Sequence, residues 1–162
     1  MFLQLSAIAK LDPIRLQKLL TDTNNTTCIF TKREFELLQE VFSVLEPAYD
    51  ATIIMEEEKA MISLVAPTVV ELHNKWSQWL KNAMYSDTLV IGLLKSLEKR
   101  FRGLLINVDI LPPLKSAAGE VVDTATLEFG DPSYLVAAAL DPQLKLTWLG
   151  DKETTKITIT GM

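Results

Sequence analysis

Apolar side chains return every three or four residues along most of this chain, and that period predicts helices rather than strands. The best-defined start is at Thr31. Thr31 and Glu34 stand at capping-box spacing, the threonine accepting from the Glu34 N–H while the glutamate reaches back, and Phe30 and Phe35 occupy the staple positions. Leu38, Val41, Phe42 and Leu45 follow at helical spacing. Pro47 is expected to end or kink this helix near Leu45, because its ring disfavours helical geometry at the preceding residue. A second segment then runs from Ala48 towards Lys59. Residues 61–84 read as a longer helix started or interrupted by Pro67, with Val69, Leu72, Trp76, Trp79, Leu80 and Ala83 recurring along it. Asp87 is read as the cap of the next helix, whose Leu89, Leu93, Leu94, Leu97, Phe101, Leu104 and Leu105 line one face. Lys95, Lys99 and Arg102 mark its other face, with Glu98 four residues before Arg102 for a favourable pair.

Asp-Pro steps punctuate the rest. Asp12-Pro13, Asp131-Pro132 and Asp141-Pro142 each read as a helix start, the aspartate capping and the proline sitting where its missing N–H costs nothing. Residues 2–10 form a weakly bounded helix, Ile14, Leu16, Leu19 and Leu20 give the second an apolar side, and 21–27 read as a loop. Between 107 and 130 the helical pattern fails. Pro112-Pro113 and Gly119 predict a long connection there, with a short strand at 125–129. Gly150 is the expected stop of the last helix, and residues 155–160 alternate as a weak strand. The expected fold is all-α: an irregular multi-helix bundle in one domain, 1–162. Its ordered core spans about 12–105 and 131–150, with a long loop at 106–130 and a tail at 151–162.

Composition narrows the function classes. A 162-residue chain that is 48% hydrophobic can bury a substantial core. A net charge of −5 makes a poor stand-alone nucleic-acid binder, since phosphate binding needs clustered Lys and Arg. One cysteine, Cys28, excludes an internal disulfide framework, and with one histidine, His73, it cannot supply the four ligands of a structural zinc site. The opening residues lack a basic leader and no run approaches a membrane span, so a soluble intracellular protein is expected. The overlapping sequons in Asn24-Asn25-Thr26-Thr27 are then incidental.

Each candidate for chemistry has a simpler reading. Cys28 and His73 lack the surroundings of a nucleophile and its base, so Cys28 is a small buried side chain and His73 a boundary residue. Glu56, Glu57 and Glu58 diverge by about 100° per helical position and cannot converge on one cation. Asp131 and Asp141 invite comparison with metal-holding carboxylates, yet capping accounts for both. Trp76 and Trp79 could stack on bases, and core packing is the simpler account. Lys95, Lys99 and Arg102 are candidate phosphate contacts on what is more simply a solvated face. No catalytic residue, metal or cofactor is expected.

Three segments, taken in order, resemble the hAT transposase superfamily and the domesticated BED-type zinc-finger proteins derived from it. Residues 35–52, with Leu45-Glu46-Pro47, Tyr49 and Ala51-Thr52, are similar to a helix ending in Leu-x-Pro-Phe/Tyr-x-x-Ala-Thr. Residues 63–80, with Pro67 and Leu72, look like the helix that follows it. Residues 134–149 resemble an Ala-x-x-Leu-Asp-Pro-Arg-x-Lys box, with Gln143 where Arg is usual and Lys145 one turn beyond Asp141. The family builds an RNase H-like fold around two Asp and one Glu that hold metal ions, with a helical domain inserted between the second Asp and the Glu. The matching segments belong to that insertion, so none of the family's catalytic acids carries over to a position here. The resemblance implies a nuclear, non-catalytic domain for protein interaction or self-association, with DNA contact confined to Lys95, Lys99 and Arg102. The alternative is a fragment of an active transposase whose catalytic acids lie outside this chain.

Overall fold

A computed structural model of the chain describes residues 2–24, 30–56, 61–144 and 147–149. Among them are seven α-helices: α1 (Phe2–Ala9), α2 (Pro13–Asp22), α3 (Lys32–Glu56), α4 (Val65–Leu80), α5 (Asp87–Arg100), α6 (Arg102–Asn107) and α7 (Ser133–Leu140). Short 3-10 turns stand at Ile62–Leu64, Thr124–Thr126 and Thr147–Leu149. The described part is all-α. Cys28, Glu57, Glu58, Lys145, Gly150 and the strand expected at 155–160 lie outside the described residues.

Local chemistry sets the helix starts. Asp12 caps α2 by accepting from the N–H groups of Ile14 and Arg15 at 2.9 and 3.1 Å. At the start of α3 the Thr31 N–H donates to Glu34 Oε2 at 2.7 Å, and the Glu34 N–H donates to Thr31 Oγ1 at 3.3 Å. Helix α3 then runs unbroken through Pro47 instead of ending near Leu45. Packing on its flanks overrides the lost backbone bond. Phe2 of α1 stacks on Phe42 and Tyr49, with ring centroids 5.1 and 4.2 Å apart. On another side the Trp76 indole of α4 donates to the Val44 carbonyl at 2.9 Å.

Helix α4 is the centre of the bundle, touching α3, α5, α7 and the last 3-10 turn. Its Ala66, Val69, Val70 and Trp76 are buried with Val90, Leu94, Leu97, Leu104, Leu105 and Leu135. The helix expected over 61–84 is divided, because Ile62–Leu64 form a 3-10 turn that packs on α7 before α4 begins. The face expected along 89–105 is also re-cut. Phe101 leaves helical geometry at φ −104°, ψ 27°, which separates α5 from α6 and turns Leu104 and Leu105 into the core. Val90 is fully buried where Leu89, the expected core residue, is exposed.

Asp87 is the first helical residue of α5 rather than its cap, and among the described residues its carboxylate accepts only from Thr88. The chain entering α5 is instead held from α3. Glu40 Oε1 accepts from the N–H groups of Met84, Tyr85 and Ser86 at 2.9, 3.2 and 3.2 Å, and from the Ser86 hydroxyl at 2.8 Å. This is a cap supplied by another helix.

The long connection is packed at its two ends and exposed through most of its middle. Val108 is fully buried, and Ile110 and Leu111 lie against the core. The strand expected at 125–129 is absent: Thr124–Thr126 form a 3-10 turn, which Asp123 caps by accepting from the Ala125 N–H at 3.0 Å. Phe129 adopts φ 57°, a left-handed conformation costly for an aromatic residue. Its ring lies 4.5 Å from that of Phe101 and 5.7 Å from that of Tyr134, and this packing holds the strained backbone in place. Beside it Gly103 and Gly130 meet so closely that a Cβ on Gly103 would come 2.5 Å from Gly130 Cα.

Candidate functional site

Two features stand out from the bundle: the joint at Asp141 and the basic edge at the α5–α6 break. At the joint α7 ends, and Asp141 takes extended backbone as its C-terminal cap. The helix expected from Asp141 to Gly150 is replaced, among the described residues, by a turn and the 3-10 segment Thr147–Leu149. Pro142 cannot donate, so the turn closes through the side chain, with Asp141 Oδ1 accepting from the Gln143 N–H at 2.9 Å. Oδ2 accepts from the hydroxyl of buried Ser63 at 2.8 Å. That bond joins the Asp-Pro turn to the entry of α4. The Gln143 N–H, then the Ser63 hydroxyl, hold the Asp141 carboxyl below the usual aspartate range despite desolvation.

Asp131 works in the same local way. Its Oδ1 accepts from the Ser133 N–H at 2.7 Å, at the start of α7, and the Ser133 hydroxyl and N–H lower its carboxyl. Glu34 is lowered by the Thr31 N–H and then the Thr31 hydroxyl. Among the described residues no group of three His, Cys, Asp or Glu side chains gathers as a metal site would require.

The basic edge gathers differently from the expected stripe. Lys99 and Arg102 share a groove of ≈ 460 Å³ with Arg100, Ser96, Leu127 and Glu128, while Lys95 lies outside it. Arg100 was not singled out in the sequence, because consecutive positions on an unbroken helix point about 100° apart. Lys99 and Arg100, three and four positions beyond Ser96 on α5, both line the groove all the same. The expected Glu98–Arg102 pair does not form; Glu98 meets His73 Nε2 at 3.2 Å instead. The Nε of Arg102 is enclosed without a hydrogen-bond partner.

Both tryptophans of α4 pack on the core while also lining a cleft against α3. Trp76 is buried, and half-buried Trp79 packs against the same core. A third surface, an apolar notch of ≈ 290 Å³, lies between α2 and the start of α3, where Ile14, Leu20, Phe30 and Phe35 converge. Compared with known proteins, the chain matches no protein-family model, no curated protein and no solved structure.

Proposed function

We propose that this chain is a helical interaction unit derived from an hAT-type transposase, working in the nucleus through contact surfaces rather than through chemistry. The observation that carries the reading is the joint at Asp141. The three segments that resemble the family pack on one another around α4: Trp76 donates to Val44, and Asp141 accepts from Ser63. Their shared residues therefore serve a common core. Asp141, the acid that most invites a catalytic role, commits one oxygen to the Gln143 N–H and the other to Ser63. The surface supports contact with proteins first. Ile14 and Leu19 of α2 and Phe30 beside it are exposed next to the apolar notch, and exposed apolar clusters of this kind mark association sites.

DNA contact is the lesser part of the proposal, since a net charge of −5 opposes a polyanion outside a local basic patch. A mobility-shift titration with duplex DNA at low and moderate salt tests it. A weak shift at low salt, lost at moderate salt and in a Lys95→Gln/Lys99→Gln/Arg102→Gln variant, is the expected result. No shift at low salt removes the DNA role and leaves the unit a protein-contact domain alone.

A further inference from the structure

We propose that the groove at the α5–α6 break binds a single phosphorylated side chain of a protein partner, an assignment that rests on reading the chain as an interaction unit. Lys99, Arg100 and Arg102 fall within four positions and line one groove. None of the three has an ion-pair partner among the described residues, and Glu98, the nearest candidate in sequence, is engaged by His73.

Structure alone explains only part of this cluster. Lys99 and Arg100 occupy the last turn of α5, where cations suit the helix dipole. Arg102 is the first residue of α6, where a cation works against it. Its Nε is enclosed with no acceptor, although guanidinium donors taken out of water normally find one. The outer guanidinium nitrogens, which carry the rest of its donors, are the groups an incoming oxyanion would meet. The Leu127 side of the groove is held by the close approach of Gly103 to Gly130 and Leu127, so little ordering is required there on binding.

The choice of ligand follows from how the charges are arranged. A phosphate monoester brings up to two negative charges and three acceptor oxygens to one point, which matches three cations gathered around one break. Clustered arginines recognise phosphorylated peptides in this manner. A nucleic acid instead needs cations spaced along a track. Here Lys95 lies off the groove and Glu128 is part of its lining, so a run of several phosphates would meet repulsion. A peptide suits that lining: an apolar neighbour of the phosphorylated residue packs on Leu127, and peptide N–H groups can donate to Glu128.

The test is a titration of the ¹⁵N-labelled full chain with a short peptide carrying one phosphoserine followed by leucine. The unphosphorylated peptide, inorganic phosphate and a duplex DNA oligonucleotide form the other arms. The phosphopeptide is expected to shift the Arg102 Nε–H resonance and the amides of Lys99 and Glu128, and to bind more tightly than inorganic phosphate. The unphosphorylated peptide should leave them in place. Arg102→Gln, and separately Lys99→Gln/Arg100→Gln, should weaken the phosphopeptide about tenfold or more, while Lys95→Gln should not. The proposal is overturned by absence of these shifts, by shifts that survive both groove variants, or by inorganic phosphate binding as well as the peptide. DNA moving the same resonances at lower concentration, with Lys95→Gln weakening it, would assign the groove to nucleic acid. Nuclease activity in the chain would defeat the interaction reading while leaving this titration interpretable, so the two failures are separable.

Discussion

Trp76 shows how much one side chain can decide in this bundle. Its ring fills the seam between α3 and α4, and its indole N–H satisfies the Val44 carbonyl in the middle of a helix that also has to pass through Pro47. Trp76→Phe keeps most of the apolar contact but removes that hydrogen bond and leaves a void the size of the lost ring portion. The expected cost is about 2 kcal/mol, read as a lower urea midpoint with an unchanged slope. Asp141 is the polar counterpart. It looks like a catalytic acid in the sequence, yet in the fold it fastens two segments that lie far apart along the chain. Arg102 shows the opposite case: a charged group with an enclosed Nε and no ion-pair partner among the described residues.

Among the elements, the link between α3 and α5 rests on Glu40. Burial opposes its charge, but the Ser86 hydroxyl and the N–H groups of Met84, Tyr85 and Ser86 together outweigh that penalty and hold the carboxyl below the usual glutamate range. Because the folded value is depressed, the stabilisation is complete above the ordinary glutamate value and is lost as pH falls through the folded one. Glu40→Gln keeps the shape and removes the charge. It should cost about 1–2 kcal/mol near neutrality, and the gap from the unaltered chain should close below about pH 4. Urea midpoints of both proteins across that range check it; a gap independent of pH would remove the charge from the account. The helix starts at Thr31 and Asp12 were legible because their bonds are local. The cap at Glu40 was not, since its partners lie more than forty residues away. Periodicity located the helical stretch after Asp87 but not its break, because Leu104 and Leu105 keep the spacing across Phe101. The strand expected at 125–129 failed where a local Asp123 cap favoured a 3-10 turn.

At the level of the whole molecule, the resemblance and the packing bear on different questions. Segment order suggested an all-α bundle, and the described residues form one around α4. The contact between Ser63 and Asp141 was invisible to any local pattern, and so was the grouping of Arg100 with Lys99 and Arg102. The first arises only when α7 packs against the entry of α4. Glu40 and Asp141 each join separate segments of the bundle, while Lys99, Arg100 and Arg102 lie together at one edge without an ion-pair partner among the described residues. The central claim, that Asp141 is a packing joint and the chain acts by contact, is tested most directly by incubating the purified protein with supercoiled and linear DNA in magnesium or manganese, beside its Asp141→Asn variant. No metal-dependent nicking or strand cleavage by either protein is the expected result. Cleavage that requires the metal and disappears in Asp141→Asn would contradict it.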